Sequence, residues 1–320
     1  MSFIQLPHQL TDWESDTKPK IESIQRDPSI ITSILPVEVA HLLSPQLVQF
    51  ICDRALEIGQ LFPQGIAALK SDVKREVVIN QKQCLCLLAH AFFDTFPKLD
   101  DDFQGQRLSF RRFISRGADT VLIEKLKCIL LYFRSCQTRM ESDSEWKGSL
   151  LSVSRKHLLD SSTLPSTCWN SSEKSLQAFT FKISGSIESE QGALQADFAN
   201  KYIGGGVLGH GCVQEEIRFM ISPECLVSLL FCEVMKPYES ILIRGTEQFT
   251  NYQGYGFSFT CSGDFHDSTP IDAQGFRDNF LVALDAIAFS FDRTHQQYSE
   301  GMILRDLNKV LIYSTNCYLS

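Results

Sequence analysis

Asp197-Phe198-Ala199-Asn200-Lys201-Tyr202-Ile203-Gly204-Gly205-Gly206-Val207-Leu208-Gly209-His210-Gly211-Cys212-Val213-Gln214-Glu215-Glu216-Ile217-Arg218-Phe219 is the stretch on which the reading of this chain turns. Five glycines fall between positions 204 and 211. A Gly triplet reaches left-handed backbone angles and lets a ligand touch the main chain with no Cβ in the way. Successive N–H groups in such a loop can form a concave nest for an anion. Alone, the same run is also a flexible turn. Gln214-Glu215-Glu216 follows the triplet after seven residues. On the first turn of a helix, neighbouring side chains diverge by about 100°. Glu215 and Glu216 therefore reach different atoms of one ligand. They cannot straddle one anomeric carbon from opposite faces, as paired glycosidase carboxylates do. One is a candidate general acid/base and the other a holder of sugar hydroxyls. Without the loop, the pair also fits a helix start, where acids interact favourably with the dipole. Joined to the loop, it suits a ligand that carries a diphosphate beside a sugar.

Outward from this stretch, the C-terminal half alternates short apolar runs with helical segments. Leu150 to Arg155, Ala178 to Ile183, Leu194 to Phe198 and Ser240 to Ile243 read as strands. Pro223 to Met235 and Gly275 to Phe291 read as helices, and the mixture implies an α/β layer. The N-terminal half differs. Val37, Val39, Leu42, Leu43, Leu47, Val48 and Ile51 recur at helical spacing. Ser44-Pro45 predicts a helix start, and Asn80 predicts the cap of a buried helix that ends before Pro97. Val121 to Phe133 is a third helix, and no Gly-punctuated strand interrupts this half. The polar stretch from Arg139 to Lys147 reads as a linker. The expected organisation is a poorly ordered lead-in over 1–30, a helical domain over 31–140 and an α/β domain over 141–320.

Composition bounds the function. With 320 residues, 43% apolar and 21% charged, the chain has the make-up of a two-domain globular protein. A net charge of −8 and a pI near 5.4 argue against direct DNA binding along a basic face. An anionic ligand must then be held by local devices. The 11 cysteines are odd in number, form no CxxC pair and have no zinc spacing with histidine, so no metal or cofactor is expected. They read as reduced thiols of the nucleus or cytoplasm. The first 16 residues lack a signal-peptide pattern, and no apolar run reaches the length of a membrane span.

The motif Gly-Gly-Gly-x7-Gln-Glu-Glu resembles that of the poly(ADP-ribose) glycohydrolase family. So do Ile187-Glu188 ahead of it, the Asp197-Phe198-Ala199-Asn200 lead-in, and Glu216-Ile217-Arg218-Phe219 behind it. Gly245-Thr246-Glu247-Gln248-Phe249-Thr250-Asn251-Tyr252-Gln253-Gly254-Tyr255 extends the likeness, and Gln83 through Ala91-Phe92-Phe93-Asp94-Thr95-Phe96-Pro97 resembles the family's accessory domain. The resemblance implies a macrodomain-like mixed sheet flanked by helices, preceded by an all-helical accessory domain. It implies a monomeric glycosidase of the DNA damage response that releases ADP-ribose from poly(ADP-ribose) and ADP-ribosylated proteins. Carried over by position, it makes Glu216 the catalytic acid and Glu215 the acid that holds ribose hydroxyls. It makes Asn200 a ribose neighbour, and the backbone of Gly204, Gly205 and Gly206 the diphosphate loop. Ile187, Glu188 and Gln214 become adenine contacts, Tyr252 and Tyr255 aromatics beside the ADP moiety, and Asn308 a ligand-facing amide. The likeness stops after Leu307-Asn308-Lys309, where the family continues into an Ala-Tyr-x-Gly-Phe run, a second Gly-rich loop and its last strands. Val310 to Ser320 follows instead. A domain lacking those strands is therefore expected, and a non-catalytic ADP-ribose-binding module or an inactive relative is the alternative.

Overall fold

Local capping chemistry fixes where the N-terminal helices begin. α1 (Lys18–Arg26) has Pro19 in its first turn and buries Ile21 and Ile24. α2 (Pro45–Leu56) places Pro45 at its first position, and the Ser44 hydroxyl accepts the Leu47 N–H at 3.1 Å. β1 (Arg75–Asn80) runs straight into α3 (Gln81–Phe93). Asn80 ends the strand and caps the helix. Its side chain accepts the Gln83 N–H at 2.9 Å, while the Gln83 side chain accepts the Asn80 N–H at 3.0 Å. From Cys84 to Phe93 every residue of α3 is buried. His90 is among them. Burial pushes its pKa down to about 4, and its ring nitrogens meet Thr95 Oγ1 at 2.7 Å and the Ala55 carbonyl at 2.9 Å. α4 (Thr120–Ser142) opens on Asp119, which accepts the Leu122 N–H at 3.1 Å. The structure is a computed structural model and describes residues 3–4, 17–71, 75–96, 103–115, 117–157, 171–173, 175 and 178–314.

The second half supplies β2 (Leu150–His157), β3 (Leu194–Asp197), α5 (Gln214–Ile221), β4 (Glu239–Arg244), a hairpin of β5 (Thr250–Gln253) and β6 (Thr260–Asp264), β7 (Phe280–Ala283) and α6 (Glu300–Ser314). The central sheet has the order β1-β2-β4-β7-β3. Three of its pairings are antiparallel, and β3 lies parallel to β7. Register aligns Val77, Val153, Ile243 and Leu281 across four strands, and all four side chains join the buried core. Such rows of branched residues suit a pleated surface covered by helices. The end of β3 feeds the glycine loop, and α5 follows. Ligands of open α/β sheets bind in that region, beyond the carboxyl ends of parallel strands.

The fold class read from the sequence is the one present, a mixed sheet flanked by helices and preceded by helices, but several details differ. The helical half is not free of strands, because β1 belongs to it and forms one edge of the sheet. Residues 18–26 are not a loose lead-in, since Ile21 and Ile24, three apart, dock into the core; residues 5–16 lie outside the described residues. The expected linker begins inside α4, whose last turn is polar because it faces solvent and the Glu247 carboxylate. Gly275 to Phe291 holds β7 where a helix was expected: Phe280-Leu281-Val282 is a strand-forming run. Pro223 to Leu230 is helical but tightened to the 3-10 form. Ala178 to Ile183 forms no strand, and Phe179, Phe181 and Ile183 stand exposed.

Candidate functional site

The two adjacent acids sit at the start of α5 and are nearly sealed from solvent, 3% exposed for Glu215 and 6% for Glu216. A buried carboxylate needs donors, and the glycine loop supplies them. Glu215 accepts the Gly204 N–H at 2.6 Å through Oε1 and the Asn200 N–H at 2.9 Å through Oε2. Glu216 accepts the Gly206 N–H at 2.8 Å through Oε1 and the N–H of Val213, just ahead of the helix, at 2.9 Å through Oε2. The Gly205 N–H donates to the Tyr202 carbonyl at 2.9 Å. This corrects the anion-nest reading. All three N–H groups of the triplet are already engaged inside the protein, two of them by the acids. The loop positions the carboxylates, and an anion must find its donors elsewhere.

The glycines are demanded by that closeness. Gly204 and Gly205 have φ of +84° and +52°. A Cβ on Gly205 would lie 2.6 Å from both Glu215 Oε2 and Glu216 Oε1, and one on Gly211 would lie 2.9 Å from Glu216 Oε1. Both carboxylates therefore press directly against the back of the loop.

A residue of the helical half locks the loop from below. Lys125, in the second turn of α4 and fully buried, donates to the carbonyls of Val207 at 2.9 Å and Gly209 at 2.7 Å, and to that of Gly211. Burial pushes its pKa down to about 8, opposed by Cys212, Glu216 and Asp119 nearby. Sequence reading passed over Lys125. The available signal was a lysine inside an apolar helical run, where a charge must find acceptors. Two further groups were also missed as site residues. Asp197, at the end of β3, is buried with no hydrogen bond to either oxygen. Burial drives its pKa up, and burial followed by Asp197 itself drives up that of Glu215. Arg218 donates to Asn279 Oδ1 at 3.1 Å.

Two clefts lie near the acids, each lined by neighbours of theirs and not by the carboxylates themselves. One, of about 320 Å³, is lined by Glu188, Gln195, Arg218, Asn251, Tyr252, Asn279 and neighbours. There the Tyr252 hydroxyl donates to Glu188 at 2.7 Å, and Tyr252 lies 6.1 Å from the ring of Phe259. The other, of about 530 Å³, lies between the glycine loop and the Gln106–Arg112 segment of the helical half. α5 joins them: Arg218 lines the first cleft, and Gly206, bonded to Glu216, lines the second.

The remaining expected site residues fall into place unevenly. The Gln214 side chain accepts the Phe198 N–H at 2.9 Å and donates to the Ala196 carbonyl at 2.9 Å, tying β3 to α5. Its own N–H donates to the exposed Tyr255 hydroxyl at 3.2 Å. The Asn200 side chain accepts the Tyr202 N–H at 3.0 Å, stiffening the lead-in to the loop. Ile187 is half-buried in the turn that carries Glu188. Asn308 is buried on α6 and lines neither cleft. Among the described residues, no cluster of three or more His, Cys, Asp or Glu could hold a metal, and no helix is long and apolar enough to cross a membrane.

Comparison with known proteins gives a single direction. Residues 38–155 match the family model described as "Poly (ADP-ribose) glycohydrolase (PARG), helical domain", and residues 166–316 match "Poly (ADP-ribose) glycohydrolase (PARG), Macro domain fold". The chain is 34% identical over 293 residues to Poly(ADP-ribose) glycohydrolase 1 of Arabidopsis thaliana, covering 89% of this chain and 51% of that one. It is 29% identical over 338 residues to Poly(ADP-ribose) glycohydrolase 1 of Caenorhabditis elegans, covering 97% of this chain and 38% of that one. The chain thus spans about half, or less, of the length of these curated relatives. A helical domain and a macrodomain matched in tandem, joined by a Lys125-clamped glycine loop over paired acids, place this chain in the poly(ADP-ribose) glycohydrolase family.

Proposed function

We propose that the chain hydrolyses the ribose–ribose O-glycosidic bonds of poly(ADP-ribose), with Glu216 as the acid that protonates the leaving ribose oxygen. The observation that carries this reading is the placement of Glu216. It lies directly behind Gly206, which lines an open cleft, and is held by the Gly206 and Val213 N–H groups at 2.8 and 2.9 Å. A carboxylate offers about four lone-pair sites, so two remain for substrate. Cleavage would pass through an oxocarbenium-like state, and Glu216 would then take a proton from the attacking water. Glu215, fixed by Gly204 and Asn200, would hold ribose hydroxyls. The Glu188–Tyr252 cleft would take the adenine end, with Tyr255 and Gln214 between. The free, mostly buried thiols fit a reducing compartment, nucleus or cytoplasm.

The test is Glu216→Gln. ADP-ribose release from the polymer should fall by about 100- to 10,000-fold, the usual share of general acid–base catalysis. Calorimetry should find ADP-ribose binding within a few-fold of wild type. A variant that kept full turnover would remove Glu216 from the chemistry.

A further inference from the structure

The 530 Å³ cleft on the far side of the glycine loop is chemically unlike the rest of this acidic chain. Arg107, Arg111 and Arg112 converge on it with His210; Asp94 lines it too, and Asp119 meets His210 Nε2 at 2.7 Å. Asp94 is already taken by Arg107 at 2.9 Å. The guanidinium groups of Arg111 and Arg112 are exposed and form no hydrogen bond or ion pair among the described residues. They nevertheless stand on a rigid base. The flanking Phe110 and Phe113 are fully buried, with their rings stacked 5.6 Å apart. Gln106 ties the segment to the loop by donating to the Ile203 carbonyl at 3.0 Å. Arg112 lies over the glycine run, its Nη1 2.9 Å from where a Cβ on Gly209 would stand. Glycine at 209 therefore leaves room for the guanidinium.

We propose that this cleft is a second diphosphate subsite, which grips the polymer unit on the other side of the bond being cut. The inference rests on the glycohydrolase reading above and extends it from a monomer site to a polymer site. Three observations carry it. The N–H groups of the triplet are engaged internally, so an anion here needs cations. Two unpaired arginines supply planar donors suited to phosphate. Gly205 and Gly206, which line this cleft, pack directly on the acids, and Arg218, two residues after Glu216 on α5, lines the cleft of Glu188 and Tyr252, so both clefts border the element that carries Glu216. Poly(ADP-ribose) is a linear polyanion with two phosphates in every unit, and its neighbouring diphosphate is the group that would arrive there.

The experiment compares two proteins on a Glu216→Gln background, one of them also carrying Arg111→Gln and Arg112→Gln. Calorimetry measures ADP-ribose, and filter binding measures long poly(ADP-ribose) at two salt concentrations. Expected are an ADP-ribose Kd within about twofold, a polymer Kd raised about tenfold or more, and a shallower salt dependence. The Arg111→Lys, Arg112→Lys pair should recover part of the polymer affinity, because charge remains while the planar donors are lost. An unchanged polymer Kd would overturn the subsite. An equal loss for ADP-ribose would also overturn it, by assigning the arginines to the unit being released. If the Glu216→Gln parent bound neither ligand, the glycohydrolase reading itself would fall, which is a different result from either.

Discussion

Lys125→Met keeps most of the side chain's length while removing its charge and its three donors. In the folded chain the ammonium meets the carbonyls of Val207, Gly209 and Gly211. Each hydrogen bond to a charged group contributes about 1.5–3 kcal/mol, so three bring about 5–9 kcal/mol. Burial opposes them: the pKa lowered from 10.5 to about 8 corresponds to roughly 3 kcal/mol against the charged form. The difference leaves a net loss of about 2–6 kcal/mol for the variant. For a domain of this size that is a fall in Tm of about 5 °C or more. The consequence reaches the chemistry, because the carbonyls concerned belong to the loop whose N–H groups hold Glu215 and Glu216. A displacement near 1 Å costs about 100-fold in rate, and ADP-ribose release should fall at least that far. Thermal melting and a polymer-degradation assay read both effects. If Lys125→Met melted within a degree of wild type and degraded polymer normally, the loop would be holding itself, and the clamp argument would be refuted.

Other outcomes follow from the same geometry. Gly205→Ala puts a methyl group 2.6 Å from both acids at a φ of +52°. It should abolish release while a cooperative melt persists, and retained activity would show that the loop yields easily. Asp197 has a folded-state pKa raised by burial, so the folded chain holds its proton above pH 4, where the unfolded chain releases it. That contribution is complete below about pH 4 and is lost as pH rises through the folded value. Asp197→Asn should therefore raise Tm at pH 9 by more than at pH 5, and an equal shift at both would show that Asp197 is not protonated in the folded chain. Arg139→Met leaves the buried Glu247 with only Arg277 at 3.0 Å and Gln81 at 2.8 Å. Stability should drop by about 2–3 kcal/mol in a urea titration, with turnover changed only a few-fold; a collapse of turnover at unchanged stability would place Arg139 in the site.

Elements whose signal is local were readable in the sequence. Ser44-Pro45 and Asn80 form the helix starts expected of them, because a cap is decided within four residues. The glycine loop and the acids were readable for the same reason. What escaped depends on tertiary placement. β1 alternates for only six residues before turning directly into a helix, so its period-2 signal is cut short. The Phe280–Ala283 run is compatible with either state, and its neighbours β4 and β3 decide the matter. Lys125 reads as an ordinary solvated charge until the loop some 80 residues later is folded over it. The anion-nest reading failed because sequence spacing cannot tell which way an N–H group points.

The edge strand donated by the helical half makes the seam between the two regions a shared one. β1 forms a six-residue ladder with β2, and its last residue is also the cap of α3. Severing the chain near residue 140 would strip a ladder from the sheet and leave one edge of β2 unpaired, an invitation to aggregation. The two regions should therefore melt in one cooperative transition, and neither is a module that evolution or an experimenter can transplant without the other.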